Sequence, residues 1–176
     1  MPVRRLNHAV LFVRDVAAST AFYADVLGFA PIEGMAGLTG AAFLRAPSST
    51  NDHDLGLFEI GSAAGASGAG RSTVGLYHLA WEVETLADLA EIGARLTERG
   101  ALVGATDHAT TKALYAKDPD GLELEVMWLV PADRLTPEIV GSRDRLAPLD
   151  LQAEIDRFGA DTVGGLGISV PAPASA

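Results

Sequence analysis

Residues 106–125, which read TDHATTKALYAKDPDGLELE, decide the fold of this chain. The DPDG sequence at 118–121 predicts a tight turn, because proline presets φ and glycine permits a positive φ. The segments 113–117 and 122–129 on either side have the composition of short β-strands. We therefore predict a β-hairpin in this part of the chain.

The second arm of the hairpin carries two acidic residues among apolar ones. Because side chains alternate along a strand, Glu123 and Glu125 share one face and the intervening Leu124 takes the other. A solvent-exposed edge strand does not need two acids directly before the apolar run at 127–130. We therefore predict that one of the two carboxylates binds a metal ion.

The composition excludes several classes of protein. The chain has 176 residues, of which 48% are hydrophobic, as is typical of one globular domain with a sizeable core. A net charge of -10 argues against nucleic acid or an anionic membrane as partner. The chain has no cysteine, so a metal would be held by histidine, aspartate or glutamate. No apolar run approaches the ~18 to 20 residues of a membrane span or resembles a signal peptide, and we expect a cytoplasmic protein.

Two halves of the chain repeat one order of predicted elements. In each half, a strand with a histidine is followed by a helix and three further strands. One helix is predicted at 16–27, with Asp15 as its N-cap, and the other starts at the capping sequence 85–88 and runs to Arg99. The predicted strands are 6–13, 29–33, 41–46, 55–60, 76–83, 101–104, 113–117 and 122–129.

Superposing the two halves of the sequence pairs His8 with His78 and Glu59 with Glu125. We therefore predict an α+β fold of two tandem βαβββ modules. Their eight strands would form an incompletely closed barrel, or two curved sheets, around a metal cleft.

The boundaries follow from composition. Residues 1–130 are predicted to form a single domain. Module one is 1–60, a glycine-rich connector is 61–75, and module two is 76–130. The extension at 131–176 has a helical pattern at 149–158 and is predicted to be flexible beyond it.

His8 and His78 are candidate metal ligands. They lie at equivalent places in the two repeats, within apolar runs where burying a lone imidazole is costly. One interpretation is a pair of core histidines with satisfied hydrogen bonds. The other is that the repeat brings both to one cleft, where they and Glu125 form a facial triad. That set suits Fe(II), and Mn(II) or Zn(II) would also fit.

The residues at 106–125 resemble the type I extradiol catechol dioxygenases of the vicinal oxygen chelate superfamily. The extradiol pattern is a histidine, five to seven residues, an apolar residue, tyrosine, two residues, a polar residue, proline, any residue, glycine, two or three residues and glutamate. His108, Leu114, Tyr115, the DPDG turn and Glu125 satisfy it throughout. The resemblance covers about residues 6–128.

This resemblance implies a ligand set and a cofactor. His8, His78 and Glu125 would hold Fe(II), with Mn(II), Ni(II) and Zn(II) as alternative ions. The spacing of the pattern selects Glu125 over Glu123, a choice that strand alternation leaves open.

The resemblance also implies a reaction. A small aromatic diol and O2 would be the partners, and ring cleavage beside the diol would give a product of the muconic semialdehyde type. Tyr115 and His108 would contact the bound diol, and His53 would be the acid–base group. Family members often carry two such domains and this chain carries one. Its pocket could therefore be completed by a second subunit of a homo-oligomer or by residues 131–176.

Two other functions fit parts of the pattern. If Glu59 also faces inward, it joins the three predicted ligands, and the set resembles the glyoxalase I branch, a nickel or zinc isomerase that forms lactoylglutathione. A metal-free protein similar to the drug-sequestering members would need an aromatic-rich groove, yet aromatic residues are only 6% of the chain. We prefer the dioxygenase because it gives all four histidines a role.

The shared function of Tyr115 and Glu125 predicts the register of the hairpin. Both side chains reach one face only if the two residues lie opposite each other. That register needs a five-residue loop at 118–122, with Lys117 opposite Glu123. A four-residue turn would turn Tyr115 to the wrong face.

Overall fold

A computed structural model of the chain describes residues 2–3, 5–33, 38–69 and 72–165. The first module contains β1 (Ala9–Val13), α1 (Val16–Leu27), β2 (Ala30–Pro31), β3 (Ala41–Arg45) and β4 (Leu55–Glu59). The second contains β5 (His78–Glu82), α2 (Leu86–Glu98), β6 (Leu102–Asp107), β7 (Thr111–Lys117) and β8 (Glu123–Leu129). After them come a 3-10 helix (Ala132–Arg134), α3 (Pro137–Gly141), β9 (Ala147–Pro148) and α4 (Leu151–Phe158).

The described strands form two sheets and do not close into one barrel. The first sheet has the order β1-β4-β3-β2, with β1 and β4 parallel. The second has the order β5-β8-β7-β6-β9, with β5 and β8 parallel. The predicted α+β fold of two βαβββ modules is confirmed, in the form that has two separate sheets.

The chain divides into two compact units. The first contains Met1–Gly68 and the hairpin loop Asp118–Leu122, and the second contains Ala69–Lys117 and Glu123–Ala176. The buried apolar residues of the first unit are Leu11, Val13, Phe22, Tyr23, Val26, Phe29, Leu44, Leu55 and Leu57. Those of the second are Leu86, Leu89, Leu96, Ala113, Leu114, Ala116, Leu124, Val126, Trp128, Val130 and Ile139. The single domain predicted at 1–130 stays a prediction.

The helices of both modules begin where the sequence predicts, because their caps are local. Asp15 accepts hydrogen bonds from the N–H groups of Ala17 and Ala18 in the first turn of α1, and Gly28 ends that helix with a left-handed φ of 73°. Thr85 and Asp88 form a complete capping box at the start of α2.

The strands that follow the two ligand candidates are shorter than predicted. β1 begins at Ala9, opposite the first residue of β4, and β5 begins at His78, opposite the first residue of β8. His8 therefore directly precedes β1, and His78 is the first residue of β5. His8 is exposed and His78 is half-buried. The prediction that His8 lies within a strand is therefore wrong, whereas His78 does lie in a strand, as the first residue of β5.

The C-terminal extension packs on the second unit. β9 pairs with β6, and α4 begins at Leu151 with Asp150 as its N-cap. Beyond the helix, the Ala160 carbonyl accepts a hydrogen bond from the Ala87 N–H over 2.9 Å, and Trp128 Nε1 donates to the Thr162 carbonyl over 3.1 Å. Flexibility was predicted for 160–176; residues 160–165 are described and make these contacts, whereas 166–176 lie outside the described residues. None of the described helices is long and apolar enough to cross a membrane.

Candidate functional site

β7 and β8 form the predicted hairpin in the predicted register. Tyr115 lies opposite Glu125, Lys117 lies opposite Glu123, and the loop between the strands is 118–122. Tyr115 and Glu125 consequently share one face of the second sheet. There the Tyr115 hydroxyl donates a hydrogen bond to Glu125 Oε1 over 3.2 Å. The register predicted from the extradiol pattern is confirmed.

The hairpin loop is held by its two aspartates. Asp118 Oδ1 accepts hydrogen bonds from the backbone N–H groups of Asp120 and Leu122, each over 2.9 Å. The carboxylate of Asp120 binds Arg14, whose guanidinium lies 2.5 Å from Oδ1 and whose backbone N–H lies 2.9 Å from Oδ2. Both carboxylates of the DPDG sequence are therefore used to set the shape of the loop.

Asp118 also joins the loop to helix α1. Its Oδ2 accepts a hydrogen bond from the Tyr23 hydroxyl over 3.2 Å, and both residues are buried. Burial raises the pKa of Asp118, although hydrogen bonds from backbone N–H groups and from Tyr23 act in the opposite direction. Burial and the nearby Asp118 charge also raise the pKa of Tyr23 well above its ordinary value. Tyr23 therefore stays protonated and remains the donor of this pair.

Glu125 is a buried carboxylate, with only 8% of the residue exposed. Its Oε2 lies 3.0 Å from His78 Nε2, and His78 Nδ1 is buried without a hydrogen-bond partner. Two donor atoms that bind one ion at about 2.1 Å and at right angles lie about 3.0 Å apart. The pair therefore has a spacing that fits two ligands of one metal. A buried carboxylate also needs positive charge beside it, which such an ion would supply.

His108 and Tyr115 extend this arrangement along the same sheet. His108 Nε2 lies 2.9 Å from the Tyr115 hydroxyl. Because an ionised carboxylate only accepts hydrogen bonds, the Tyr115 hydroxyl donates to Glu125 and accepts from His108 Nε2–H. Burial, followed by the charge and hydrogen bond of Glu125, raises the pKa of Tyr115 to about 12. A continuous series of contacts thus runs from His108 through Tyr115 and Glu125 to His78.

His8 and His53 lie side by side in the first unit, with ring centroids 4.3 Å apart. Nδ1 of His8 is 2.8 Å from Asn7 Oδ1, and Nδ1 of His53 is 3.0 Å from Asp52 Oδ2. Each contact engages Nδ1 and leaves Nε2 for another partner. A metal-binding imidazole commonly directs its second nitrogen to an oxygen in this way. Asn7 and Asp52 were not predicted, although each directly precedes its histidine.

The loop that carries His53 is organised by a buried carboxylate. Asp54 Oδ1 accepts hydrogen bonds from Ser49 Oγ and Asn51 Nδ2, both over 2.7 Å. Its Oδ2 accepts from the backbone N–H of Ala46 over 2.8 Å. Burial acts to raise the pKa of Asp54, but these hydrogen bonds outweigh it, and the net pKa is lowered. Asp54 was not predicted; a serine and an asparagine shortly before an aspartate are the available signal.

The predicted equivalence of Glu59 and Glu125 is wrong. In the second module, Ala80, two residues after His78, lies opposite Glu125 of β8. In the first module, the equivalent residue is Val10, two residues after His8, and it lies opposite Gly56 of β4. Gly56 therefore takes the place of the carboxylate in the first module. Glu59 is three positions beyond Gly56 in β4, and because side chains alternate along a strand, an odd offset puts Glu59 on the face opposite to that of Gly56. Its carboxylate accepts a hydrogen bond from the first backbone N–H of α1 over 3.1 Å.

The predicted ligands belong to different units, His8 to the first and both His78 and Glu125 to the second. Among the residues that the structure describes, no group of three or more histidine, aspartate or glutamate side chains is arranged to hold a metal ion. The three-residue ligand set stays a prediction. So do the catalytic roles of the other site residues, His53, His108 and Tyr115.

Two dioxygenases are similar to this chain in sequence. Catechol-2,3-dioxygenase from Bacillus subtilis (strain 168) is 31% identical over 140 residues, which cover 80% of this chain and 45% of that protein. Biphenyl-2,3-diol 1,2-dioxygenase 3 from Rhodococcus globerulus is 31% identical over 128 residues, which cover 69% of this chain and 62% of that protein. The chain thus spans less than two thirds of the length of either relative.

A solved structure and a family model also match this chain. A glyoxylase/bleomycin resistance protein/dioxygenase domain from Frankia sp. EAN1pec has a TM-score of 0.61 at 23% identity, over 74% of this chain and 96% of that one. That likeness shows the fold alone. Residues 5–126, more than half of the chain, match a family model. The chain therefore belongs to the Glyoxalase/Bleomycin resistance protein/Dioxygenase superfamily.

Proposed function

We propose that this chain is a metal-dependent extradiol dioxygenase that cleaves the ring of a catechol-type diol with O2. The observation that carries the proposal is the series of contacts from His108 through Tyr115 and Glu125 to His78. The extradiol pattern implies a functional role for His108, Tyr115 and Glu125, and the resemblance to the family implies one for His78. Relatives named for catechol and for biphenyl-2,3-diol, each 31% identical, support an aromatic diol as the substrate class.

Fe(II) is the proposed metal, held by His8, His78 and Glu125. The 3.0 Å between His78 Nε2 and Glu125 Oε2 fits two ligands of one ion. The contact between His8 Nδ1 and Asn7 leaves His8 Nε2 available. Two imidazoles and one carboxylate suit Fe(II), and Mn(II) is the alternative ion. When bound, the metal would supply a Lewis acid for the diol oxygens and a site at which O2 could react.

His53 is proposed as the acid–base group. With its Nδ1 proton directed at Asp52 Oδ2, 3.0 Å away, the imidazole presents Nε2 as a base. His53 Nε2 would take a proton from a diol hydroxyl and return it later in the reaction. The ring of Phe43 lies edge-on to His53, with centroids 5.1 Å apart, and limits rotation of the imidazole.

Tyr115 and His108 are proposed to bind and orient the diol. With a pKa of about 12, Tyr115 keeps its proton at neutral pH and acts as a hydrogen-bond donor, not as a base. His108 directs Nε2–H at the Tyr115 hydroxyl, so the two side chains orient each other. When the diol binds, the Tyr115 hydroxyl would turn its one hydrogen bond from Glu125 Oε1 to a diol oxygen, while the Tyr115 oxygen still accepts from His108 Nε2–H.

The proposal is tested by measuring O2 uptake. The chain is loaded with Fe(II) under anaerobic conditions, freed of unbound metal and mixed with a panel of catechols in an oxygen electrode. Equimolar consumption of O2 and diol, with a yellow product, supports the proposal. No uptake across the panel by protein that retains iron would refute it. Formation of lactoylglutathione by a nickel or zinc form would favour the isomerase instead.

Glu125→Ala and Glu123→Ala form a matched pair for the ligand set. Both residues lie on one face of β8, and Glu123 pairs only loosely with Lys117 across 3.9 Å. Glu125→Ala is expected to weaken iron retention about 100-fold or more, and Glu123→Ala to leave it unchanged. Iron content after dialysis measures the difference. Equal retention by the two variants would remove Glu125 from the ligand set.

A further inference from the structure

Lys112, near the start of β7, is a fully buried lysine with 0% of the residue exposed, which is rare for a charged side chain. Its Nζ lies 2.5 Å from Asp107 Oδ1 and 2.9 Å from Glu154 Oε2. The ring of Phe158 lies close as well, with its centroid 5.9 Å from Nζ. The two carboxylates compensate the buried charge, one from strand β6 and the other from helix α4.

Helix α4 covers this lysine with one of its faces. Glu154 and Phe158 are four residues apart, so they project from the same side of the helix. Phe158 also packs against Trp128 of β8, with ring centroids 5.5 Å apart. The C-terminal extension thus supplies one of the two carboxylates that stabilise Lys112.

Asp107 connects the buried lysine to the turn that carries His108. Besides binding Lys112, Asp107 Oδ1 accepts a hydrogen bond from the backbone N–H of Ala109 over 2.7 Å. Ala109 has a φ of 62°, a left-handed conformation that a residue other than glycine keeps only when its surroundings hold it. The His108 N–H closes the same turn on the Thr111 carbonyl over 2.9 Å. The direction of the His108 ring therefore depends on this turn.

We propose that Lys112, held by Glu154 of helix α4, is a positioning residue for His108. Lys112 orients the Asp107 carboxylate, Asp107 holds the left-handed turn, and the turn directs His108 Nε2 at the Tyr115 hydroxyl. The effect on turnover rests on the proposed function, whereas the effect on the His108 ring does not. The C-terminal extension thereby supports the candidate site from the buried face of the second sheet.

Nuclear magnetic resonance of the full chain, labelled with 15N-histidine and free of metal and substrate, tests the positioning. The chain has four histidines, and His108→Gln identifies the signals of His108. In Lys112→Met and Glu154→Gln, the His108 ring signals are expected to move because the hydrogen bond to Tyr115 weakens. The signals of the two histidines in the first unit are expected to stay in place.

Asp156→Asn is the matched control. Asp156 lies exposed on the same helix, and its Oδ1 accepts a hydrogen bond from Gln152 Nε2 over 2.8 Å, which an asparagine carbonyl can also accept. This variant is expected to leave the His108 signals unmoved. Glu154→Gln keeps the side-chain length and the contact between Lys112 and Asp107, so it decides the test if Lys112→Met does not fold. Unmoved His108 signals in a folded Glu154→Gln variant would overturn the proposal.

Turnover supplies a second readout. Lys112→Met is expected to lower kcat about 10- to 100-fold with little change in KM, and Lys112→Arg is expected to restore part of the loss. If the wild type consumes no O2 with any catechol, the proposed function fails and the His108 signals alone decide the positioning. If the wild type is active and kcat is unchanged in a folded Lys112→Met variant, the positioning role is overturned.

Discussion

Asp118→Ala is expected to destabilise the folded chain by about 3 kcal/mol at neutral pH. It removes the acceptor for the Tyr23 hydroxyl and for the N–H groups of Asp120 and Leu122. Tyr23 is only 2% exposed, so water cannot replace the acceptor, and an unsatisfied buried hydroxyl costs about 1–3 kcal/mol. The N–H groups belong to partly exposed residues and add about 0.5–1 kcal/mol each. In a chain of this length the melting temperature should fall by about 6–12 °C.

Two further variants isolate the contacts of Asp118. Asp118→Asn keeps an oxygen for the two N–H groups and an amide that can donate to Tyr23, so its cost should be below about 1 kcal/mol. Tyr23→Phe removes the hydroxyl and keeps the loop bonds, so it should cost about 1 kcal/mol. Urea denaturation at constant slope measures all three variants. The reasoning is refuted if Asp118→Ala costs no more than Asp118→Asn.

The pH dependence gives a second check on Asp118. Burial raises its pKa in the folded chain, whereas an unfolded aspartate has a pKa of about 3.9. Between these two pKa values the folded state binds more protons than the unfolded state, so the free energy of unfolding falls as pH rises. As pH rises above about 3.9, the free energy of unfolding of the wild type should therefore decrease relative to that of Asp118→Asn, which has no titratable group at this position. The opposite slope would show that hydrogen bonding outweighs burial.

Two more substitutions test the turn that carries His108. Lys112→Met should destabilise the chain by about 3–5 kcal/mol, because it leaves the Asp107 and Glu154 carboxylates without their cation, and urea denaturation measures the loss. Adding Glu154→Gln to this variant should recover part of it; no recovery would contradict the ionic explanation. Ala109→Gly should stabilise the chain by about 0.5 kcal/mol. A left-handed φ costs alanine about 1–2 kcal/mol, and the extra entropy of unfolded glycine offsets part of that gain. A lower melting temperature would contradict this account.

The hairpin could be predicted because the residues that determine it are neighbours in sequence. Proline and glycine set the turn, alternation sets the faces, and the length of the loop places Tyr115 opposite Glu125. The helix starts are local in the same way. Asp15 caps N–H groups that lie two and three residues after it, and Thr85 and Asp88 cap each other.

The register of β4 relative to β1 could not be predicted from neighbouring residues in the sequence. β4 pairs with β1, whose residues lie far away in sequence, and no short turn joins the two strands. The sequence comparison that paired Glu59 with Glu125 was therefore misaligned by three residues, because no local feature sets the alignment of these two strands. Only the pairing of Val10 with Gly56 shows that the first module has a glycine where the second has its carboxylate.

By itself, the sequence determined the order of two βαβββ modules, the Tyr115–Glu125 pair and the restriction of metal donors to histidine and carboxylates. Only the tertiary structure decided that Lys112 is buried beneath α4. From its sequence neighbours alone, this lysine would be expected at the surface, because a buried ammonium group is unfavourable unless carboxylates surround it. Asp107 is close in sequence, but Glu154 reaches Lys112 only after the extension has folded onto the sheet. Compensation of a buried charge by a distant segment leaves no local pattern.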